Sequence, residues 1–302
     1  MKKRNFTALL LVAAMALGLL AGCGQSNTGG DNTAAPSASG EKATVKIGYV
    51  NWAEGIAMTN LVKAILEDKM GYTVETTMTD AAPLFASLAS GGTDVFLDAW
   101  LPVTHKSYID KYGDKLEDLG INYENARIGL VVPSYMDISS IEDLNDQKDS
   151  FDGTIVGIDS GAGIMSTTDT AIQEYGLDYE LMPGSGPTMT AALKKAIDAQ
   201  KPIVVTGWTP HWMFARWDLK FLDDPKSVYG DAEYIHTMAR KDFSTDMPEV
   251  ADFLKKFSMT DDQLGDLMGA ISDADDKDPS EVAETWMNSH EDLVNSWLTA
   301  ES

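Results

Sequence analysis

Val45-Lys46-Ile47-Gly48-Tyr49-Val50-Asn51-Trp52 is an alternating run, partly β-branched, that stops at a tryptophan, and the period changes at once beyond it. Ala57, Leu61, Ala64 and Ile65 recur at helical spacing within 56–69, so the stretch reads as strand, loop and helix. Working outward, 71–77 predicts a second strand, 82–90 a second helix, and Asp94-Val95-Phe96-Leu97 a third strand that delivers Trp100. The pattern then restarts. A strand over 154–158 leads through Gly161-Ala162-Gly163 into a helix over about 166–175. Leu181 opens a short strand or loop, 188–198 a helix, and Pro202-Ile203-Val204-Val205-Thr206 a strand that delivers Trp208. Strands alternating with helices at this spacing predict an α/β fold with a largely parallel sheet.

Between the two sets, Ile128-Gly129-Leu130-Val131-Val132-Pro133 is a short apolar strand ended by proline, suited to a crossover, and a return is expected near 225–236. Segments 250–257, 260–271 and 279–298 read as helices that pack back on the first set. About 260 residues are near the size at which one core gives way to two. The expectation is therefore two lobes, the first made of 44–132 and 230–302, the second of 133–229. A ligand belongs in the cleft between them, because open α/β sheets bind ligands beyond the carboxyl ends of their strands.

Trp52, Trp100 and Trp208 sit in Asn51-Trp52-Ala53-Glu54-Gly55, Asp98-Ala99-Trp100-Leu101-Pro102 and Gly207-Trp208-Thr209-Pro210-His211-Trp212, each where a strand-like run gives way to a turn. Three such indoles predict an aromatic cage, whose faces attract a cation that offers no N–H, quaternary ammonium groups above all. Trp52 and Trp100 fall on the first lobe and Trp208 on the second, so lobe closure would complete the cage. Trp212 and Trp217, five apart, read as packing residues, as do Trp286 and Trp297 in the C-terminal helices. His211 reads as a support behind the site, and His236 and His290 as structural.

Lys2, Lys3 and Arg4 precede an apolar run over 8–21 that is too short and wrongly flanked for a membrane span, so 1–22 reads as a signal peptide. Leu20-Ala21-Gly22-Cys23 resembles the lipobox of bacterial lipoproteins, in which Cys23 would carry the lipid. The small, polar stretch 23–43 has no apolar periodicity and reads as a flexible tether to the extracytoplasmic face of the membrane. Cys23 is the only cysteine, which excludes an internal disulfide and a thiolate zinc site.

The formal net charge is −24, and discounting the leader's three cations makes it more negative still. That acidity argues against nucleic acid as a partner. No Gly-x-Ser-x-Gly elbow is present, and no histidine pair has metal-ligand spacing. Gly161-Ala162-Gly163 lacks the third glycine of a dinucleotide fingerprint, since Ser166 stands there. Lys277 and Asp278 break the ligand pattern a calcium loop would need in 273–278. No enzyme, metal or cofactor is therefore expected.

Taken together, the Trp52 motif, Asp98–His105, Gly157–Met165 and Gly207–Trp212 resemble the substrate-binding proteins of glycine betaine transporters, and the likeness extends into Leu222-Asp223-Asp224-Pro225 and Ile235-His236-Thr237. The resemblance implies a two-lobed binding-protein fold of type II that hands a compatible solute to an ATP-driven permease. It makes Trp52, Trp100 and Trp208 the walls around a trimethylammonium group. It makes His105 and the backbone amides of Gly163 and Ile164 the clamp on the ligand carboxylate, a group that seeks strong donors. Glycine betaine, with proline betaine as a second ligand, is the expected cargo. Choline and carnitine remain open at this point, as does a role in presenting the ligand to a sensor.

Overall fold

The computed structural model describes residues 42–274 and 277–299. The leader, Cys23 and the tether as far as residue 41 lie outside the described residues.

β1 (Thr44–Tyr49) buries Val45 and Ile47 and passes into α1 (Ala53–Ala64), which ends in a π-helical turn over Ile65–Lys69. β2 (Thr73–Met78), α2 (Ala81–Ser90) and β3 (Val95–Leu101) complete the first set. β3 is buried along nearly its whole length, as befits a strand covered on both faces. β1 pairs in parallel with both β2 and β3. α3 (Lys106–Tyr112) then leads to β4 (Leu116–Pro133).

β4 is 18 residues long, where the sequence reading expected only 128–133. Its N-terminal part carries bulges against its partner and alternates between buried and exposed side chains, so its apolar signal is diluted. Its C-terminal part is continuously buried and starts a second set of strands. That set comprises β5 (Thr154–Val156), α4 (Gly163–Tyr175), β6 (Glu180–Met182), α5 (Gly186–Asp198), β7 (Val205–Thr209), α6 (Met213–Arg216) and β8 (Leu219–Phe221). β5 is parallel to β6 and β7, whereas β7 and β8 run antiparallel to β4.

β9 (Glu233–Arg240) returns the chain to the first set, antiparallel to β3 and to the N-terminal part of β4. The strand order is β2-β1-β3-β9-β4-β7-β5-β6, with β8 beside β4. Each flank is parallel, as expected, and the join is antiparallel. α7 (Phe243–Asp246), α8 (Pro248–Lys256), α9 (Asp261–Asp273), α10 (Pro279–Ser289) and α11 (Glu291–Leu298) close the chain. α9 and α10 pack on α1, and α8 on β4, so the C-terminal helices do return to the first set. The helix expected over 279–298 is two helices broken at His290, which stacks on Trp286.

Candidate ligand-binding site

The carboxyl ends of β1, β3 and β5 and the body of β7 converge. Trp52 is the extended residue just before α1, and α1 starts three residues earlier than its periodicity indicates, which places Glu54 in its buried first turn. On β3 the two-residue repeat puts Asp98 and Trp100 on one face, and the Trp100 indole N–H donates to Asp98 Oδ1 at 2.8 Å. Trp100 and Trp208 lie within their strands rather than in the turns beyond them.

The chain turns sharply after β3, and Glu233 at the start of β9 holds that turn. Its carboxylate accepts from the amides of Val103 at 2.6 Å and Thr104 at 2.8 Å, and from the Thr104 hydroxyl. The turn brings back His105, whose Nδ1 accepts the Trp100 amide at 2.8 Å. The proton of the neutral imidazole is therefore on Nε2. That nitrogen is buried and has no hydrogen-bond partner among the described residues. The imidazole lies parallel to the Trp52 indole, 5.7 Å between centroids.

From the other set, α4 starts at Gly163 behind Ala162, which provides no side-chain cap. The first-turn amides of Gly163 and Ile164 have no intrahelical acceptor and lie at the positive end of the helix dipole. Only glycine fits at 163: a Cβ there would lie 2.1 Å from the Thr104 carbonyl oxygen. The two sets thus touch backbone to backbone beside His105.

All six residues singled out from the sequence, Trp52, Trp100, Trp208, His105, Gly163 and Ile164, line one pocket. The space they surround, about 270 Å³ with the solvent at its mouth included, is small and walled mainly by apolar and aromatic side chains. Glu54, Thr104, Ile128, Ile158 and Ala162 complete the wall. His211 is absent from the lining and stands edge-on against Trp208 at 4.9 Å. Trp212 packs against Trp217, and Trp297 against Phe257.

The sequence reading missed the carboxylates. Each of the three indoles donates its N–H to one: Trp52 to Asp159 at 3.0 Å, Trp100 to Asp98, and Trp208 to Glu54 at 2.8 Å. Glu54 and Asp98 stand two residues from a tryptophan inside the quoted motifs, an acidic residue among apolar ones, and that was the available signal. Burial pushes Glu54 up to about 8. Asp98 is raised well above the usual carboxylate range by burial and then by the Glu54 carboxylate, and Asp159 is raised by burial. Burial pushes His105 down to about 3, so it is a neutral donor rather than the charged partner that a carboxylate clamp suggests. Among the described residues no cluster of His, Cys, Asp and Glu is placed to hold a metal ion.

Residues 43–289 match the family described as OpuAC, the substrate-binding domain of ABC-type glycine betaine transport systems. The chain is 48% identical over 147 residues to the glycine betaine/carnitine transport binding protein GbuC of Listeria monocytogenes serotype 1/2a (strain 10403S), an alignment that spans about half of each protein (48% of this chain and 48% of GbuC). The crystal structure of lactococcal OpuAC, closed on glycine betaine, is similar at a TM-score of 0.80 and 38% identity, covering 85% of this chain and 100% of that one. The glycine betaine and L-proline binding protein ProX of Borrelia burgdorferi gives 0.81 and 38%, covering 85% and 97%. The fold is thus the mixed α/β fold of periplasmic binding proteins. The chain belongs to the family of substrate-binding domains of ABC-type glycine betaine transport systems, a family of binding proteins rather than enzymes.

Proposed function

We propose that this protein captures glycine betaine outside the cell membrane and delivers it to an ABC permease for osmoprotectant uptake. The observation that carries the reading is that one small pocket holds both kinds of group this ligand needs. Trp52, Trp100 and Trp208 offer polarisable faces to a trimethylammonium, and His105 Nε2–H with the amides of Gly163 and Ile164 offers donors to a carboxylate. Three cation–π contacts at roughly 1–2 kcal/mol each and donors to a charged group at about 1.5–3 kcal/mol each leave, after the cost of association, a binder in the micromolar range, about −8 kcal/mol.

Choline offers these three donors a neutral hydroxyl in place of a carboxylate and forgoes the charge-assisted bonds, which disfavours it. Carnitine is a second reading, favoured by the similarity to a protein named for glycine betaine and carnitine. The two lobes are 44–132 with 230–302 and 133–229. The pairing of Arg127–Val131 with β7 favours placing the first crossing slightly earlier, near Ala126. Cys23 carries the lipid that holds the protein at the extracytoplasmic face.

Titrating intrinsic tryptophan fluorescence with glycine betaine, proline betaine, carnitine and choline tests the ligand. Glycine betaine should bind best and proline betaine should also bind. Tight binding of choline without betaine would remove the carboxylate clamp. Loss of membrane association in Cys23→Ala tests the anchor, and full retention would refute it.

A further inference from the structure

Two of the three indole hydrogen bonds run between the strand sets, and they run in opposite directions. Trp52, behind β1 of the first set, donates to Asp159 beyond β5 of the second, across 107 positions of chain. Trp208, on β7 of the second set, donates to Glu54 in the first turn of α1, across 154 positions. The Trp100 bond to Asp98, by contrast, stays on one strand. Trp52 and Glu54 are near neighbours in sequence, so one short segment of the first set is both donor and acceptor to the second.

A buried indole N–H needs an acceptor, and here the acceptor for each of these walls belongs to the opposite side. With the sides apart, both indoles would exchange their carboxylate for water and lose the contact that sets their orientation. We infer that Glu54 and Asp159 are positioning residues that make cage assembly and lobe closure a single event, each carboxylate orienting the cage wall supplied by the other lobe. The inference rests on the ligand reading above and extends it: these side chains govern how long the ligand is held. Leaving a buried indole N–H without its acceptor corresponds to roughly tenfold or more in an equilibrium or a dissociation rate.

The test is stopped-flow dissociation of glycine betaine from the full chain and from Glu54→Leu, Glu54→Gln, Asp159→Ala and Asp159→Asn, each checked for fold by circular dichroism. Glu54→Leu and Asp159→Ala should release betaine about tenfold faster. Glu54→Gln and Asp159→Asn retain an acceptor oxygen and should stay within about threefold of wild type. In spectra of ¹⁵N-labelled protein with betaine bound, the Trp208 indole proton should stand at the downfield position of a hydrogen-bonded N–H in wild type and Glu54→Gln and lie upfield of it in Glu54→Leu. Wild-type dissociation rates in the folded Leu and Ala variants would overturn the inference, as would amide variants that release as fast as the apolar ones. Should wild type fail to bind betaine at all, the ligand reading falls and this inference with it; binding by wild type with unaffected variants sinks the positioning role alone.

Discussion

Gly163→Ala is the substitution whose effect the geometry defines most sharply. The new methyl would sit 2.1 Å from the Thr104 carbonyl oxygen, 2.5 Å from the Thr104 methyl and 2.8 Å from the Thr104 carbonyl carbon. Two of those atoms are backbone, in a turn that Glu233 ties down, so no side-chain rotation relieves the contact. Restoring ordinary van der Waals separation requires α4 and the Thr104 turn to part by about 1.3 Å. The proposed carboxylate donors straddle that line, with the Gly163 and Ile164 amides on one side and His105 on the other. A 2.9 Å hydrogen bond stretched by that amount is no longer one. Losing one or two such bonds to a charged group at about 1.5–3 kcal/mol each weakens binding by roughly ten- to a thousandfold or more. Isothermal titration with glycine betaine measures it, and Gly161→Ala is the matched control, because a Cβ there meets nothing nearer than 3.8 Å. The reasoning is refuted if Gly163→Ala binds within threefold of wild type, or if the control loses as much.

Trp100→Ala should weaken betaine binding at least about tenfold with the circular dichroism spectrum preserved; unchanged affinity in the same titration would take Trp100 out of the site. Glu233→Ala strips three donors of their acceptor and should cost at least about 3 kcal/mol in urea unfolding, with weaker betaine binding because the His105 turn is released; a loss under about 1 kcal/mol would refute the role of Glu233 as the tie of that turn. Stability should also depend on pH in two opposing windows. Glu54 is raised from 4.5 to about 8, so the folded state holds a proton the unfolded chain has lost, and that contribution is full below 4.5 and disappears as pH rises through 8. His105 and His211 are lowered from 6.5 to about 3, so their neutral forms cost stability as pH falls from 6.5 towards 3. Thermal melts should therefore show Glu54→Gln losing less stability than wild type between pH 5 and pH 8, and parallel curves would refute the raised carboxyl.

The strand and helix alternation was legible because it is local. Val45, Ile47 and Val50 mark a strand whatever it pairs with, and the change to helical spacing after Trp52 needs no partner to be seen. The N-terminal half of β4 was not legible for the opposite reason. Its residues 116–124 are mixed in polarity, and they form a strand because β9, more than a hundred residues later, pairs with them. The start of α1 was read late because Ala53, Glu54 and Gly55 carry no apolar period, although the structure buries both Glu54 and Gly55. Short motifs brought forward the three tryptophans, because each stands where a strand-like run nears a turn, whereas His105, Gly163 and Ile164 came forward only through the resemblance to the binding proteins of glycine betaine transporters.

What the amino-acid sequence determined by itself was the α/β class, the two sets of strand and helix units, and the three tryptophans as candidates for a cage, with His105 and the glycine-led helix added by the family resemblance. What only the tertiary structure decided was the company those residues keep. It paired Trp52 with Asp159 and Trp208 with Glu54, left His105 Nε2 buried and neutral, and pressed Gly163 against Thr104. Periodicity and turn chemistry are written in neighbouring residues, whereas contacts between segments a hundred or more positions apart, and the desolvation that shifts a buried acid or imidazole, exist only once the chain has closed on itself.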